Sequence, residues 1–326
     1  AAPGITSPDT EILTLPLLME QMLIFSILIL VGVYARKKQV INPSNIPALT
    51  QQVFNYAMPA IILTGVLGNE PRIGGTQLGH TFAIVLASLA CLIVLSMMLG
   101  RLLNFKKEER GAVTVMTTFT NISMMGIPMV YSLYGHEAMI YITAFLLPYN
   151  LLFFSLDYYW MSGGNSGSFF SMDTLRKIMN PGIIACVLAL IIYLTGIQVP
   201  RIIAEPIKML GCMTAPLSML LIGSFLADMN WRQCLSNKKI WLYSLFKMVI
   251  IPIIILLIMR PFVDNPIFFG VLLAAVATPA GAGTPLLAQL LNPKAYDVSL
   301  QGATLTTLVA IVSMPLVQYL TQLFQF

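Results

Sequence analysis

Apolar residues run along this chain in long windows separated by short polar connectors, without the alternation of a half-buried strand or the stripe of an amphipathic helix. The windows fall near residues 15–35, 46–68, 79–103, 111–134, 136–158, 178–197, 203–227, 238–260, 266–291 and 298–323. A helix needs about 20 mostly apolar residues to cross a bilayer. The pattern therefore predicts an all-α membrane protein of ten transmembrane helices joined by short connectors. The one polar interruption of any length, Ser162-Gly163-Gly164-Asn165-Ser166-Gly167-Ser168, sits in an expected cytoplasmic linker, 161–177, between spans 1–5 (residues 1–160) and spans 6–10 (178–326). Five spans per half is an odd number, so the second half enters the membrane upside down, as in inverted-repeat transporters. The prolines fit: Pro43, Pro59 and Pro128 recur 157 residues later as Pro200, Pro216 and Pro285. Coincidence among 20 prolines is the competing explanation, but each pair lands at the equivalent place in its half. Pro59 and Pro216, inside spans 2 and 7, each remove a backbone hydrogen bond and bend the helix.

The fourth and ninth spans carry the strongest signal. Asn121-Ile122-Ser123-Met124-Met125-Gly126-Ile127-Pro128 lies at the centre of one and Thr278-Pro279-Ala280-Gly281-Ala282-Gly283-Thr284-Pro285 at the centre of the other, two breaks of equal length. Glycine and proline destabilise a helix interior, and unwound backbone at membrane depth is tolerated only against protein, water or ligand. Second half-helices starting near Pro128 and Pro285 would bring two positive dipole ends and their free amides together, an arrangement suited to an anion. Carbonyl ends near Thr120 and Ala277 would suit a cation or water. Gly126, Thr278 and Gly281 join the candidate substrate-binding residues on this ground. The bland alternative is a pair of packing kinks that bind nothing.

Composition agrees with the windows: 57% hydrophobic residues, 10% charged and a mean hydropathy of +0.83, against about a quarter charged in soluble domains. The net charge of +5 suggests no nucleic-acid partner, because of how it is distributed. Arg36, Lys37, Lys38, Arg101, Lys106, Lys107, Arg110, Arg176, Lys177, Arg232, Lys238, Lys239 and Lys294 occupy alternate connectors, and the opposite connectors hold Arg72, Arg201, Lys208 and Arg260. That asymmetry marks the basic side as cytoplasmic and puts both termini outside a plasma or inner membrane. The first window is long and closely followed by others, so it is expected to remain in the mature protein; residues 1–4 carry no functional weight. Cys91, Cys186, Cys212 and Cys234 show no metal or disulfide spacing. His136-Glu137 lacks the second histidine of a zinc protease helix, since position 140 is Ile140, and no phosphate-binding GxxxxGK[ST] loop occurs. The sequence thus points away from an enzyme, a metal site or an ATP-driven pump.

The stretch Asn121–Gly135, NISMMGIPMVYSLYG, resembles the fourth-helix motif of the auxin efflux carrier family, which includes plant and bacterial malate-permease-like carriers. TPAGAGTP, LLAQL, Asp297 and TLTTLVAIVSMPL, within Ala277–Pro315, resemble its ninth and tenth helices. The resemblance implies a scaffold of spans 1, 2, 6 and 7 and a mobile core of spans 3–5 and 8–10. Helices 4 and 9 would cross in the core, an organic carboxylate would bind at the crossing, and elevator-like movement would expose it alternately to each side. It also implies a homodimer through the scaffold. Carried over by position, Asn121, Pro128, Pro279 and Pro285 belong to the site. Spacing adds Gln52 and Asn55, which share a face of span 2 and serve either the site or interhelical hydrogen bonding. The short linker, unlike the long loop of plant members, argues against loop regulation and against auxin as substrate.

Ionisable groups within spans are functional suspects. Glu20 is expected at a wet outer edge and Asp157 at the cytoplasmic interface. Lys247, near mid-membrane in span 8, has two readings: a charge role beside the site, standing in for a bound cation or countering a carboxylate, or a side chain snorkelling to the cytoplasm. No cofactor is expected; sodium coupling, proton coupling and uniport stay open. The alternatives to a secondary transporter are a ligand-binding membrane sensor and a channel-like anion pathway.

Overall fold

The computed structural model describes residues 9–67, 75–161, 181–229, 231–281 and 283–323. Apart from Met161, the expected linker 161–177 lies outside them, as do Arg72 and residues 1–4. Among the described residues every regular element is a helix. The first half holds α1 (Asp9–Lys37), α2 (Ile46–Gln52), α3 (Met58–Thr64), α4 (Gly75–Leu102), α5 (Lys107–Thr118), α6 (Ile127–Tyr134) and α7 (Met139–Met161). The second holds α8 (Pro181–Thr195), α9 (Arg201–Cys212), α10 (Thr214–Ala227), α11 (Trp231–Ser236), α12 (Lys238–Leu245), α13 (Ile251–Met259), α14 (Pro266–Ala277), α15 (Thr284–Leu291) and α16 (Tyr296–Leu323). Among the described residues, five helical stretches, Pro16–Lys37, Gly75–Leu102, Arg201–Ala227, Lys238–Phe262 and Pro293–Thr321, are long and apolar enough to cross a bilayer.

Proline dictates where several of these helices change their winding. A proline lacks the N–H for the bond to residue i−4, and its ring crowds that carbonyl. The turn before it widens: π turns at Val53–Ala57, Ile122–Gly126 and Phe246–Ile250 directly precede Met58-Pro59, Ile127-Pro128 and Ile251-Pro252. Pro216 has no such turn before it; its segment is instead divided at Met213. Asparagine opens two helices, for the Asn265 side chain accepts hydrogen bonds from the Ile267 and Phe268 amides, and Asn237 accepts one from Lys239.

The packing of one half is repeated in the other. α1 packs on α10 as α8 packs on α3; α1 meets α16 as α8 meets α7; α4 packs on α5 and α7 as α12–α13 pack on α14 and α16. The α1–α10 contact is a close backbone approach at Gly32 and Gly223: a methyl group on Gly32 would strike the Leu220 backbone, and one on Gly223 the backbones of Ile29 and Gly32. Small residues allow such approach between membrane helices.

Connector contacts sort by side. At the ends carrying the basic residues, Arg36 Nε donates to Asp228 at 2.9 Å, Lys239 Nζ to the Asn104 carbonyl at 2.7 Å, and Asn292 Nδ2 to the Glu108 carbonyl at 2.8 Å. At the other ends, His136 Nδ1 lies 3.2 Å from the Thr64 carbonyl and a methyl on Gly270 would strike the Tyr134 ring. The outer surface is apolar, with Leu23, Ile27 and Leu30 of α1, Leu188 and Leu194 of α8, and Met209 of α9 exposed, as suits a chain whose outer solvent is lipid.

Candidate functional site

The two central interruptions meet. α5 ends at Thr118 and Phe119 turns extended (φ −97°, ψ 90°), while α14 ends at Ala277 and Thr278 turns extended (φ −65°, ψ 152°). The unwound pieces run antiparallel, with Thr120 opposite Ala280. Asn121 N donates to the Pro279 carbonyl at 2.7 Å and Gly281 N to the Phe119 carbonyl at 3.1 Å. Unwound backbone thus finds its partners in the other unwound backbone, which is how it survives away from water.

Side chains complete the web. Tyr149 of α7 donates to the Thr120 carbonyl at 2.7 Å, Thr120 Oγ1 to the Ala275 carbonyl at 2.8 Å, and the Ala280 amide to Thr306 Oγ1 of α16 at 3.1 Å. Lys247, in the π turn between α12 and α13, donates to the carbonyls of Val276 and Thr278 at 3.0 and 3.1 Å. Its side chain is fully buried, so it does not snorkel; that expectation is overturned, and the reason is the carbonyl end of α14, which offers the ammonium two acceptors and a favourable dipole.

The breaks are not of equal length. The first spans Phe119–Asn121, and the chain rewinds at Ile122, well before Pro128; the second includes Thr278 to Gly281 and Gly283, and Pro285 lies in the first turn of α15. The difference follows from composition: Ile122-Ser123-Met124-Met125 can wind, whereas Pro279, Gly281 and Gly283 cannot hold a helical ladder. The first intrahelical donors of the rewound segment, Met125 N and Gly126 N, bond the Asn121 carbonyl at 3.0 and 3.4 Å. The amides of Ile122, Ser123 and Met124 precede them and are the free donors of a helix start.

What the web leaves over is polar and buried. Asn121 is 5% exposed and, among the described residues, its Nδ2 has no hydrogen-bond partner; Thr278, its counterpart 157 residues on, is fully buried and its Oγ1 has none among them either. Gly126 faces the second break: a methyl group there would reach ordinary contact with Thr278 Cγ2 at 3.5 Å, and would crowd Ile122 Cγ1 of its own turn at 2.8 Å. Pro128, Pro279 and Pro285 are buried, Gly281 is half-buried, and Gly283 opens to the surface. Two further orphans, Thr214 Oγ1 and Ser218 Oγ, sit buried one turn apart on α10, the helix that packs against the Ile122–Gly126 turn. The i, i+4 spacing of these hydroxyls around Pro216 was the available signal for them. Buried orphan polar groups are few in native structures and call for a partner.

Gln52 and Asn55 do not join this cluster. Both are exposed, and among the described residues neither makes a hydrogen bond. Asp157 is not at the interface: it is 5% exposed, with Oδ1 unpartnered, because α7 continues to Met161 and keeps Asp157 inside the bundle. Glu20 is exposed. Among the described residues no group of His, Cys, Asp and Glu is placed to hold a metal ion, and the cysteines are free.

No curated protein matches the chain. The profile of a family described as membrane transport protein matches it over residues 17–167 and 166–318. The two matches cover nearly the whole chain and meet where the linker was expected. The chain is a multi-pass membrane protein and belongs to this membrane transport protein family, the auxin efflux carrier family that its fourth-helix motif resembles.

Proposed function

We propose that the protein is a secondary transporter that moves a small organic carboxylate through the paired interruptions by elevator-type alternating access. The observation that carries the reading is the pair of buried, unpartnered side-chain groups, Asn121 Nδ2 and Thr278 Oγ1, at equivalent positions of the two breaks. A carboxylate accepts from an amide N–H, from a hydroxyl and from the free amides of Ile122–Met124 at a positive helix start. The reading takes the ten apolar stretches as ten spans in two inverted repeats, with the fourth and ninth crossing at the Thr120–Ala280 bridge. Support for inversion comes from the repeated packing and from the sorting of connector contacts to two ends.

The contact pattern also supports a division into a scaffold of α1–α3 and α8–α10 and a core of α4–α7 and α12–α16, with the site where the Ile122–Gly126 turn of the core faces α10. In this reading the scaffold surfaces of two copies pair as a homodimer in a plasma or inner membrane, with basic connectors cytoplasmic. Purified protein screened against small mono- and dicarboxylates by thermal shift tests the site, since a ligand of the native state raises its melting temperature by mass action. Asn121→Ala is expected to abolish the shift and leave the apo protein folded. A shift that survives the substitution removes Asn121 from the site.

A further inference from the structure

The second interruption exposes backbone carbonyls at the end of α14, and in broken-helix carriers such ends are where a coupling cation is held. Here that end is occupied by the protein itself. Lys247 Nζ lies 3.0 Å from the Val276 carbonyl and 3.1 Å from the Thr278 carbonyl, with the side chain at 0% exposure. An ammonium has three donors, and two are committed to these carbonyls. Among the described residues the only other buried charged side chain is Asp157, and no ion pair joins the two. Ser244, three residues before Lys247 and on the same helix face, is also buried with an unpartnered hydroxyl. A full positive charge is costly to bury without a counter-charge. One of the two carbonyls that hold it here belongs to Thr278, the same residue that carries the orphan hydroxyl.

We infer that the Lys247 ammonium is a tethered cation filling the place of a coupling sodium at the carbonyl end of α14, so that the site takes a monocarboxylate, charge for charge, without sodium. The inference rests on the carboxylate reading of the same site. One fixed positive charge is balanced by one carboxylate; a dicarboxylate would bring an uncompensated negative charge into a buried site.

The test separates the two readings. Purified full-length protein is melted in sodium chloride and in choline chloride, with and without the carboxylate that gives the largest shift, in wild-type, Lys247→Ala and Lys247→Met forms. Wild type is expected to show the same carboxylate shift in both salts, with monocarboxylates above dicarboxylates. Lys247→Ala, which leaves room for an ion, is expected to lose about tenfold or more in carboxylate affinity and to recover most of it with sodium or methylammonium, each saturating. Lys247→Met fills the space without charge and is expected to fold, to lose the same affinity, and to be rescued by neither cation. A wild-type carboxylate shift that requires sodium overturns the proposal, as does a Lys247→Ala protein with undiminished affinity or no rescue. Should no carboxylate shift wild type, the carboxylate reading fails; the cation arm still reads out, because cation stabilisation of Lys247→Ala alone supports the tethered cation and its absence sinks it.

Discussion

At the scale of residues, the site is defined more by what lacks a partner than by what has one. Thr278 spends its carbonyl on Lys247 and its amide on the Ala274 carbonyl at 3.3 Å, yet its hydroxyl has no partner in a fully buried position. A buried donor without a bond costs about 1–3 kcal/mol, so folding alone gives no reason to keep it. Thr278→Val retains the shape and removes the hydroxyl. The melting temperature of the apo protein is expected to stay the same or rise, while carboxylate affinity falls by about tenfold, near 1.4 kcal/mol. Calorimetric titration beside a melting curve checks both halves; a fall in stability with unchanged affinity would make the hydroxyl structural. Asn121 entered the sequence reading through the resemblance of the fourth-helix motif, and its orphan amide appears only in the fold. The Thr214 and Ser218 hydroxyls were not legible in the sequence, since Ser and Thr in membrane helices ordinarily bond their own backbone, as Thr64 and Thr143 do here. Only the fold shows that these two do not.

At the scale of elements, proline and glycine positions carried most of the information and also set its limit. The sequence located both interruptions because Pro128, Pro279, Gly281, Gly283 and Pro285 break the apolar windows. It placed the α-helical restart near Pro128, and α6 does begin at Ile127, but it missed the π turn at Ile122–Gly126, because a proline can be accommodated by a π turn in front of it as well as by unwinding. That choice depends on the intervening residues and on the partner strand, which apolar periodicity does not encode. Nor did the sequence reveal that the freed backbone of one break would bond the other, since pairing across 155 or more residues is a tertiary fact. The glycines divide by what surrounds them. Gly223 lies against the α1 backbone, which cannot yield as a side chain can, whereas a methyl group on Gly283 would meet nothing within 4 Å. Gly223→Ala is therefore expected to destabilise by about 1–3 kcal/mol through overpacking. Gly283→Ala is expected to leave thermal stability within about 0.5 kcal/mol. Parallel melting curves decide, and equal losses in both would mean the α1–α10 approach is not tight.

At the scale of the whole molecule, sidedness is the property on which direction of transport depends, and it has a two-part argument. The charge pattern assigns Arg36, Lys37, Lys38, Lys106, Lys107 and Lys239 to one face and Arg201, Lys208 and Arg260 to the other. The three-dimensional contacts independently join residues of the first set's connectors, Arg36 to Asp228 and Lys239 to Asn104. Charge and contacts require the same alternation of connectors, although only the charge bias says which face is cytoplasmic. Single cysteines placed at Lys37, Lys106, Arg201 and Arg260 in a background free of the four native cysteines convert this into a measurement. A membrane-impermeant maleimide added to intact cells is expected to label Arg201→Cys and Arg260→Cys, and to reach Lys37→Cys and Lys106→Cys only after permeabilisation. The reverse pattern would keep the inverted arrangement and flip the molecule. Labelling of Lys37→Cys together with Arg201→Cys, both from outside, would break the alternation itself, and with it the inverted repeat proposed for this chain.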